Sequence, residues 1–303
     1  MNEIQSYIGN YTSSTDLRTK ALQILNGLDI TEASRNDYRS RISCFLDYVQ
    51  EQKFNNNTFL EFKRYLASRN DVAVSTKAKY LTVARVFLKE LHKQGIIPID
   101  VTLNVKSFKQ GKKHKRFGLN EDEIHKLLEY LNSIDDTPEN TRLKALFSLL
   151  IFQGLRQIEI VRLDVSDIDL ARQTALIQGK GRDDKELINL HPRTVEALKT
   201  YMNICEIRSG ALFVSRSNNN RNGRITTKSL RELVTSFLKK LDIQNSTHGF
   251  RHFFTTRLIE YFSNDLLTVQ KFTRHRSVET LQVYNDNISH RENLPKYYQA
   301  FNK

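Results

Sequence analysis

Cysteine is scarce: the 303 residues hold two, Cys44 and Cys205. Two thiols cannot build a disulfide framework. Both lie among apolar residues at helical spacing, which predicts buried free thiols in a reducing compartment. Long apolar runs are missing as well. The longest, Ala145 to Phe152, is broken by Ser148 and falls far short of the roughly 20 residues that cross a bilayer. The opening stretch, MNEIQSYIGNYTSS, has no basic segment followed by an apolar one, so no secretory leader is expected. These absences predict a soluble cytoplasmic chain with no membrane partner. Acids are short too: 34 Asp and Glu stand against 47 Lys and Arg, giving a formal charge of +13 and a pI near 9.6. Such an excess favours polyanionic partners, nucleic acid foremost, but carries no information about chemistry.

What is present divides into a helical first part and a mixed second part. Tyr38, Ile42, Phe45, Leu46 and Val49 recur at helical spacing, and Leu81, Ala84, Phe87, Leu88 and Leu91 draw a second stripe. Ser75 or Thr76 is the expected cap of that second helix. Shorter helical patterns span Leu17 to Leu25 and Phe59 to Leu66, and four such helices make a small bundle. From Val101 to Asn120 the chain carries Lys106, Lys109, Lys112, Lys113, Lys115 and Arg116 without an acid, around Gly111. This reads as a flexible basic linker able to track a phosphate backbone. Asn120-Glu-Asp-Glu123 then opens a helix with a capping-box pattern. An apolar helix from about Thr141 to Gln153 stops at Gly154. Asp167–Asp169, Thr174–Gln178 and Lys185–Leu190 read as short strands, with Gly179 and Gly181 turning between the last two. From Thr194 the chain is again mostly helical, with Arg216–Arg224 as a surface loop. The expected organisation is a helical bundle over 1–105, a basic linker over 106–116, and an α+β domain over 117–303, mainly α with a small β-sheet.

The polar residues of the second part form an ordered set. Arg156 in GLRQIE follows the Gly154 break, with Glu159 one helical turn on; alone, this is an ion pair at a helix start. Lys180 sits between glycines in QGKGR, an ammonium at the tip of a hairpin, with Arg182 beside it. His248 and Arg251 share a helical face in HGFRH, and His252 follows. The i, i+4 histidines lack the Glu and the third ligand of a zinc site, so no metal is expected there. His275 in RHRS and Tyr284 in LQVY close the order; Tyr261, Tyr297 and Tyr298 are the competing tyrosines nearby. Two arginines suit two non-bridging phosphate oxygens, a lysine and histidines can move protons, and a tyrosine can attack phosphorus. No clustered carboxylates accompany them, which argues against a metal-dependent nuclease.

The order and local contexts resemble the tyrosine recombinase (phage integrase) family, with specific motifs over roughly residues 117–284 and a looser likeness over about 31–97. The resemblance implies a SAM-like helical core-binding domain followed by a catalytic domain, and a recombinase working without cofactor or metal. It implies that Arg156, Lys180, His248, Arg251, His275 and Tyr284 are catalytic, that Glu159 and His252 support them, and that Arg182 and the linker cations bind DNA. The implied chemistry is cutting and rejoining of duplex DNA through a 3′-phosphotyrosyl bond, in chromosome dimer resolution or in integration and excision of a mobile element. The implied assembly is a homotetramer on two DNA sites, with a related recombinase or accessory protein as a further partner. The chain departs from the family pattern at one point: Arg274 stands where Gly usually precedes the histidine, and Ser277 follows one residue late. No room is expected for a domain ahead of the bundle, the arrangement of a two-domain, Xer-like recombinase. Two rival readings are a type IB topoisomerase-like relaxase and a non-catalytic DNA-binding protein of the same fold.

Overall fold

The computed structural model describes residues 14–51, 54–109, 111, 118–216 and 223–301. The chain divides into two compact units, residues 1–111 and 112–303. Among the described residues of the first, four helices bury one stripe each: α1 (Ser14–Asn26), α2 (Glu32–Glu51), α3 (Thr58–Ser68) and α4 (Val74–Lys93). Ile42, Phe45, Leu46 and Val49 of α2 meet Leu81, Ala84, Phe87 and Leu88 of α4 in one core, with Phe59, Phe62 and Leu66 of α3. Phe45 stands edge-on to Phe62 at 5.0 Å, so ring quadrupoles as well as burial favour this arrangement. Ser75 and Thr76 are not the cap of α4. The carbonyl of Ala73 accepts from the amides of Thr76 and Lys77 at 2.8 and 3.0 Å, which puts both hydroxyl residues inside the first turn. Lys77 is buried, and its ammonium donates to the Ala67 carbonyl at the end of α3.

The second unit is mainly helical around a small sheet. Its helices are α5 (Glu121–Ser133), α6 (Pro138–Phe152), α7 (Gln157–Arg162), α8 (Pro192–Ile204), α9 (Thr227–Lys240), α10 (Thr247–Tyr261), α11 (Leu266–Thr273) and α12 (Val278–Gln299). At the start of α5 the Asn120 side chain accepts from the Glu123 amide at 2.8 Å, and Glu123 accepts from the Asn120 amide at 2.9 Å. Helix α6 begins three residues before the expected Thr141, because the Thr137 hydroxyl caps it and Pro138 fits its first position. Ala145, Leu146, Phe147, Leu149 and Leu150 of α6 are fully buried, the pattern of a central helix, which packs against α8 and α10. Three antiparallel strands, β1 (Ile168–Asp169), β2 (Thr174–Ile177) and β3 (Glu186–Asn189), lie in the order β1-β2-β3. The register pairs Ala175 with Ile188 and Ile177 with Glu186. Ala175, Ile177 and Ile188 face the core while Leu176 and Leu187 are exposed, the alternation of a one-sided sheet. Lys185 anchors the far side of the β2–β3 connection through an ion pair to buried Asp167.

Two further expectations are adjusted. Cys44 and Cys205 are free but half-buried, since Cys44 lies beside the α2 stripe and Cys205 caps the end of α8. Of the Arg216–Arg224 loop, residues 217–222 lie outside the described residues. Its end is not a free surface: Arg224 donates to the Val161 and Leu163 carbonyls at 2.8 and 3.1 Å. Among the described residues no helix is long and apolar enough to cross a membrane.

Candidate active site

The site is built from helix ends. Gly154 follows α6 with φ +54°, and a Cβ there would stand 2.4 Å from the Phe254 ring, so glycine is required both by backbone and by space. This turn delivers Arg156 to the start of α7. The Glu159 carboxylate accepts from the Arg156 amide at 2.8 Å and from its guanidinium at 2.7 Å. Glu159 is 1% exposed. Burial alone would raise its pKa, but Arg274, the Arg156 amide and the Arg156 guanidinium outweigh this and hold it below the usual carboxylate range.

Helix α10 supplies the second arginine. Arg251 is 2% exposed, and its guanidinium donates to the Gly154 carbonyl at 2.7 Å and to the Thr273 carbonyl. It is thereby clamped between the end of α6 and the end of α11. Burial, then repulsion from Arg156 and Arg274, pushes its pKa down to about 9, which still leaves it charged at neutral pH. One turn away on the same helix, the His248 ring stands 4.6 Å from His252.

Helix α11 ends at Arg274 in the left-handed region, φ 55° and ψ 40°, with its amide on the Gln270 carbonyl. The glycine usual at this place would take that conformation freely. Here an arginine takes it, and the turn survives. His275 follows, its Nδ1 2.8 Å from the Thr273 hydroxyl and its carbonyl held by the Gln270 side-chain Nε2 at 2.9 Å. Burial, and then Arg251, Arg156, Arg274 and His248, pushes the His275 pKa down to about 3, so this imidazole is neutral at neutral pH. Ser277 caps α12 by accepting from the Glu279 amide at 3.1 Å. Two turns into α12, Tyr284 is 6% exposed, with ring centroids 5.0 Å from His252 and 6.1 Å from His275. Burial raises its pKa; Arg251 and Arg156 pull the other way by stabilising a phenolate.

The β2–β3 connection closes one side. A cleft of about 220 Å³ is lined by Arg156, Glu159, Lys180, Arg182, Arg274 and Arg276, among others. Lys180 is exposed at the turn. Arg276, next to His275, donates to the Gly181 carbonyl at 3.0 Å and so ties the lysine-bearing turn to the histidine-bearing one. Arg182 lines the same cleft and pairs with Glu186 at 3.1 Å.

Of the residues singled out from sequence, Arg156, Glu159, Arg251, His252, His275 and Tyr284 gather at one place, with His248 beside His252 and Lys180 and Arg182 across the cleft. Lys106 and Lys109 belong to the first unit and are exposed. Lys112, Lys113, Lys115 and Arg116 lie outside the described residues. Sequence reasoning missed Arg274 and Arg276 as parts of the site. The cationic run Thr273-Arg-His-Arg276 was the available signal, but which arginine turns inward depends on the left-handed turn.

Residues 118–291 match the phage integrase family. A tyrosine recombinase XerC of Pelotomaculum thermopropionicum is 32% identical over 248 residues, 78% of this chain and 79% of its own length. One from Oceanobacillus iheyensis is 26% identical over 297 residues, 94% of this chain and 92% of its own. Among solved structures, the XerH site-specific recombinase in a post-cleavage complex with palindromic difH substrate has the same fold. Its TM-score is 0.71 at 21% identity, over 94% of this chain and 85% of that one. A lambda integrase dimer bound to a COC′ core site gives 0.66 at 15% identity, over 92% of this chain and 94% of that one. The chain belongs to the phage integrase family and is a tyrosine recombinase, an enzyme of site-specific DNA breakage and rejoining. The relatives do not favour the relaxase or binding-only readings.

Proposed function

We propose that this chain cuts and rejoins duplex DNA with Tyr284 as nucleophile, in chromosome dimer resolution or in the movement of a mobile element. The observation that carries the reading is a buried tyrosine under the electrostatic pull of two arginines, Arg251 and Arg156, with two imidazoles packed around it. The Tyr284 oxygen attacks the scissile phosphorus in line. The bond to the 5′-oxygen breaks, leaving a 3′-phosphotyrosyl enzyme and a free 5′-hydroxyl. Arg156 and Arg251 bind the non-bridging oxygens, whose charge grows as phosphorus becomes five-coordinate. Both guanidiniums are held before DNA arrives, by Glu159 in one case and by two carbonyls in the other, so little reorganisation accompanies the step. His275, neutral, donates a hydrogen bond to the same oxygens while its Nδ1 stays with Thr273. His248 takes up the proton that the Tyr284 hydroxyl loses as its oxygen bonds to phosphorus, His252 packs the tyrosine ring, and Lys180 gives a proton to the leaving 5′-oxygen from its turn. The energy of the phosphodiester is retained in the phosphotyrosyl bond, so a 5′-hydroxyl from a partner strand reverses the chemistry.

The proposed organisation is a core-binding bundle over 1–105, a linker over 106–116 whose cations follow the DNA backbone, and a catalytic domain over 117–303 acting as a tetramer on two sites. The decisive experiment is covalent trapping. Wild type and Tyr284→Phe are incubated with fragmented genomic DNA of the source organism in EDTA, denatured in SDS, and the attached DNA is sequenced. Attachment by wild type alone, ending at a shared sequence, is the expected result. Equal attachment by Tyr284→Phe refutes the nucleophile.

A further inference from the structure

The family pattern places glycine where this chain has Arg274, and the structure shows a costly arrangement there. A non-glycine residue occupies the left-handed region, which favours glycine, at φ 55°. Its side chain is only 5% exposed, although arginine is seldom buried. The guanidinium reaches Glu159 at 3.4 Å and the Phe272 carbonyl at 3.0 Å, while its Nε has no hydrogen-bond partner among the described residues. Glu159 therefore stands between two guanidiniums, Arg156 at 2.7 Å on Oε1 and Arg274 on Oε2. A carboxylate held on both oxygens cannot swing, so the guanidinium of Arg156 inherits a fixed orientation.

Charge adds a second argument. The cluster sets three arginines, half-buried Arg156 and buried Arg251 and Arg274, against buried Glu159 and the more exposed Glu186 of the cleft wall, and the arginines disfavour one another. Arg274 also lines the cleft with Arg156, Lys180, Arg182 and Arg276, five cations against the two acids Glu159 and Glu186. An uncompensated positive surplus beneath an open cleft is stabilised by an anion entering it, and more by two negative charges than by one. The five-coordinate phosphorus of strand transfer carries more negative charge than the diester it comes from.

We propose that Arg274 is a positioning residue that fixes the Glu159–Arg156 pair from a left-handed turn and supplies a third positive charge beneath the phosphate cleft. The inference rests on the proposed function for its consequence in catalysis. In this proposal Arg274 acts through Glu159 and through its field.

The test compares wild type, Arg274→Gly and Arg274→Lys as full chains. Thermal unfolding is followed against orthovanadate, an anion that adopts five-coordinate geometry. Wild type shifts upward with vanadate. Arg274→Gly, relieved of backbone strain, unfolds no earlier than wild type without anion and loses at least two-thirds of the shift, and Arg274→Lys recovers part of it. A wild type indifferent to vanadate, or a full shift in Arg274→Gly, overturns the proposal. The same proteins then attach to fragmented genomic DNA in a single turnover. Arg274→Gly is expected to bind DNA within about twofold of wild type and to attach about tenfold more slowly, a split that a simple folding role does not produce. Equal attachment rates overturn the inference. No attachment by wild type is a failure of the proposed function, and the vanadate result still decides the case of Arg274.

Discussion

Replacing Glu159 by glutamine keeps size and one acceptor oxygen while deleting the acid that pairs with both Arg156 and Arg274. The positive surplus around it then rises by one charge, with Arg274 5% and Glu159 1% exposed. Removing one partner of a buried ion pair costs about 3–5 kcal/mol, because the remaining charge keeps its desolvation penalty and loses its compensation. For a unit the size of residues 112–303, each kcal/mol lowers the unfolding midpoint by about 2–4 °C, so a drop of about 6–20 °C is expected. Urea and thermal unfolding of the full chain, followed by circular dichroism, measure it. The Glu159 carboxylate titrates lower in the folded protein than in the unfolded chain. Its stabilisation is therefore present above the unfolded value, near 4.5, and disappears as pH falls through the folded one. Wild type and Glu159→Gln should converge in stability in acid. Adding Arg274→Gly to Glu159→Gln removes one of the stranded charges, and the pair should show about 1–3 kcal/mol of favourable coupling. A loss below about 1 kcal/mol for Glu159→Gln, or strict additivity in the double variant, refutes the view that this carboxylate neutralises the cluster.

Gly154→Ala is expected to destabilise the second unit by about 2 kcal/mol or more, from the left-handed backbone and the collision with Phe254, read as a lower urea midpoint. His275, neutral in the fold with a pKa near 3, protonates first in the unfolded chain; wild type should therefore lose stability between about pH 6.5 and 3, by up to about 1.4 kcal/mol per unit, relative to His275→Asn. Arg276→Ala cuts the tie to the Gly181 carbonyl, and hydrogen exchange should quicken over residues 178–185 while α10 stays protected.

The identities of the reacting groups were legible because chemistry dictates residue type and helices dictate spacing. His248 and Arg251 three apart, or Arg156 and Glu159 one turn apart, can be placed on one face from a string of letters. The stripes of α2 and α4 were equally plain, since a helix that buries one side repeats every three to four residues. The capping of α5 could be read as well, because both partners lie within four positions. What failed was local in another sense: Ser75 and Thr76 offered hydroxyls for a cap, and the helix starts from Ala73, two residues before Ser75. Where an element starts by a residue or two depends on packing behind it, which propensity does not contain.

Arg274 shows the boundary most sharply. From sequence it is a departure from pattern beside a histidine, with nothing to say whether it points to water or to the interior. Its role follows from contacts that join α11 to α7 and α10 to the end of α6 across 115 and 97 positions of chain, Arg274 to Glu159 and Arg251 to the Gly154 carbonyl. Sequence by itself determined which residues can bind a phosphate, move a proton and attack phosphorus, and which faces of the helices must be buried. Tertiary structure alone decided which guanidiniums are buried and clamped, that His275 is neutral, and that two arginines share one carboxylate. Such outcomes are set by burial and by distances between segments remote in the chain, and both arise only when the helix ends are brought together.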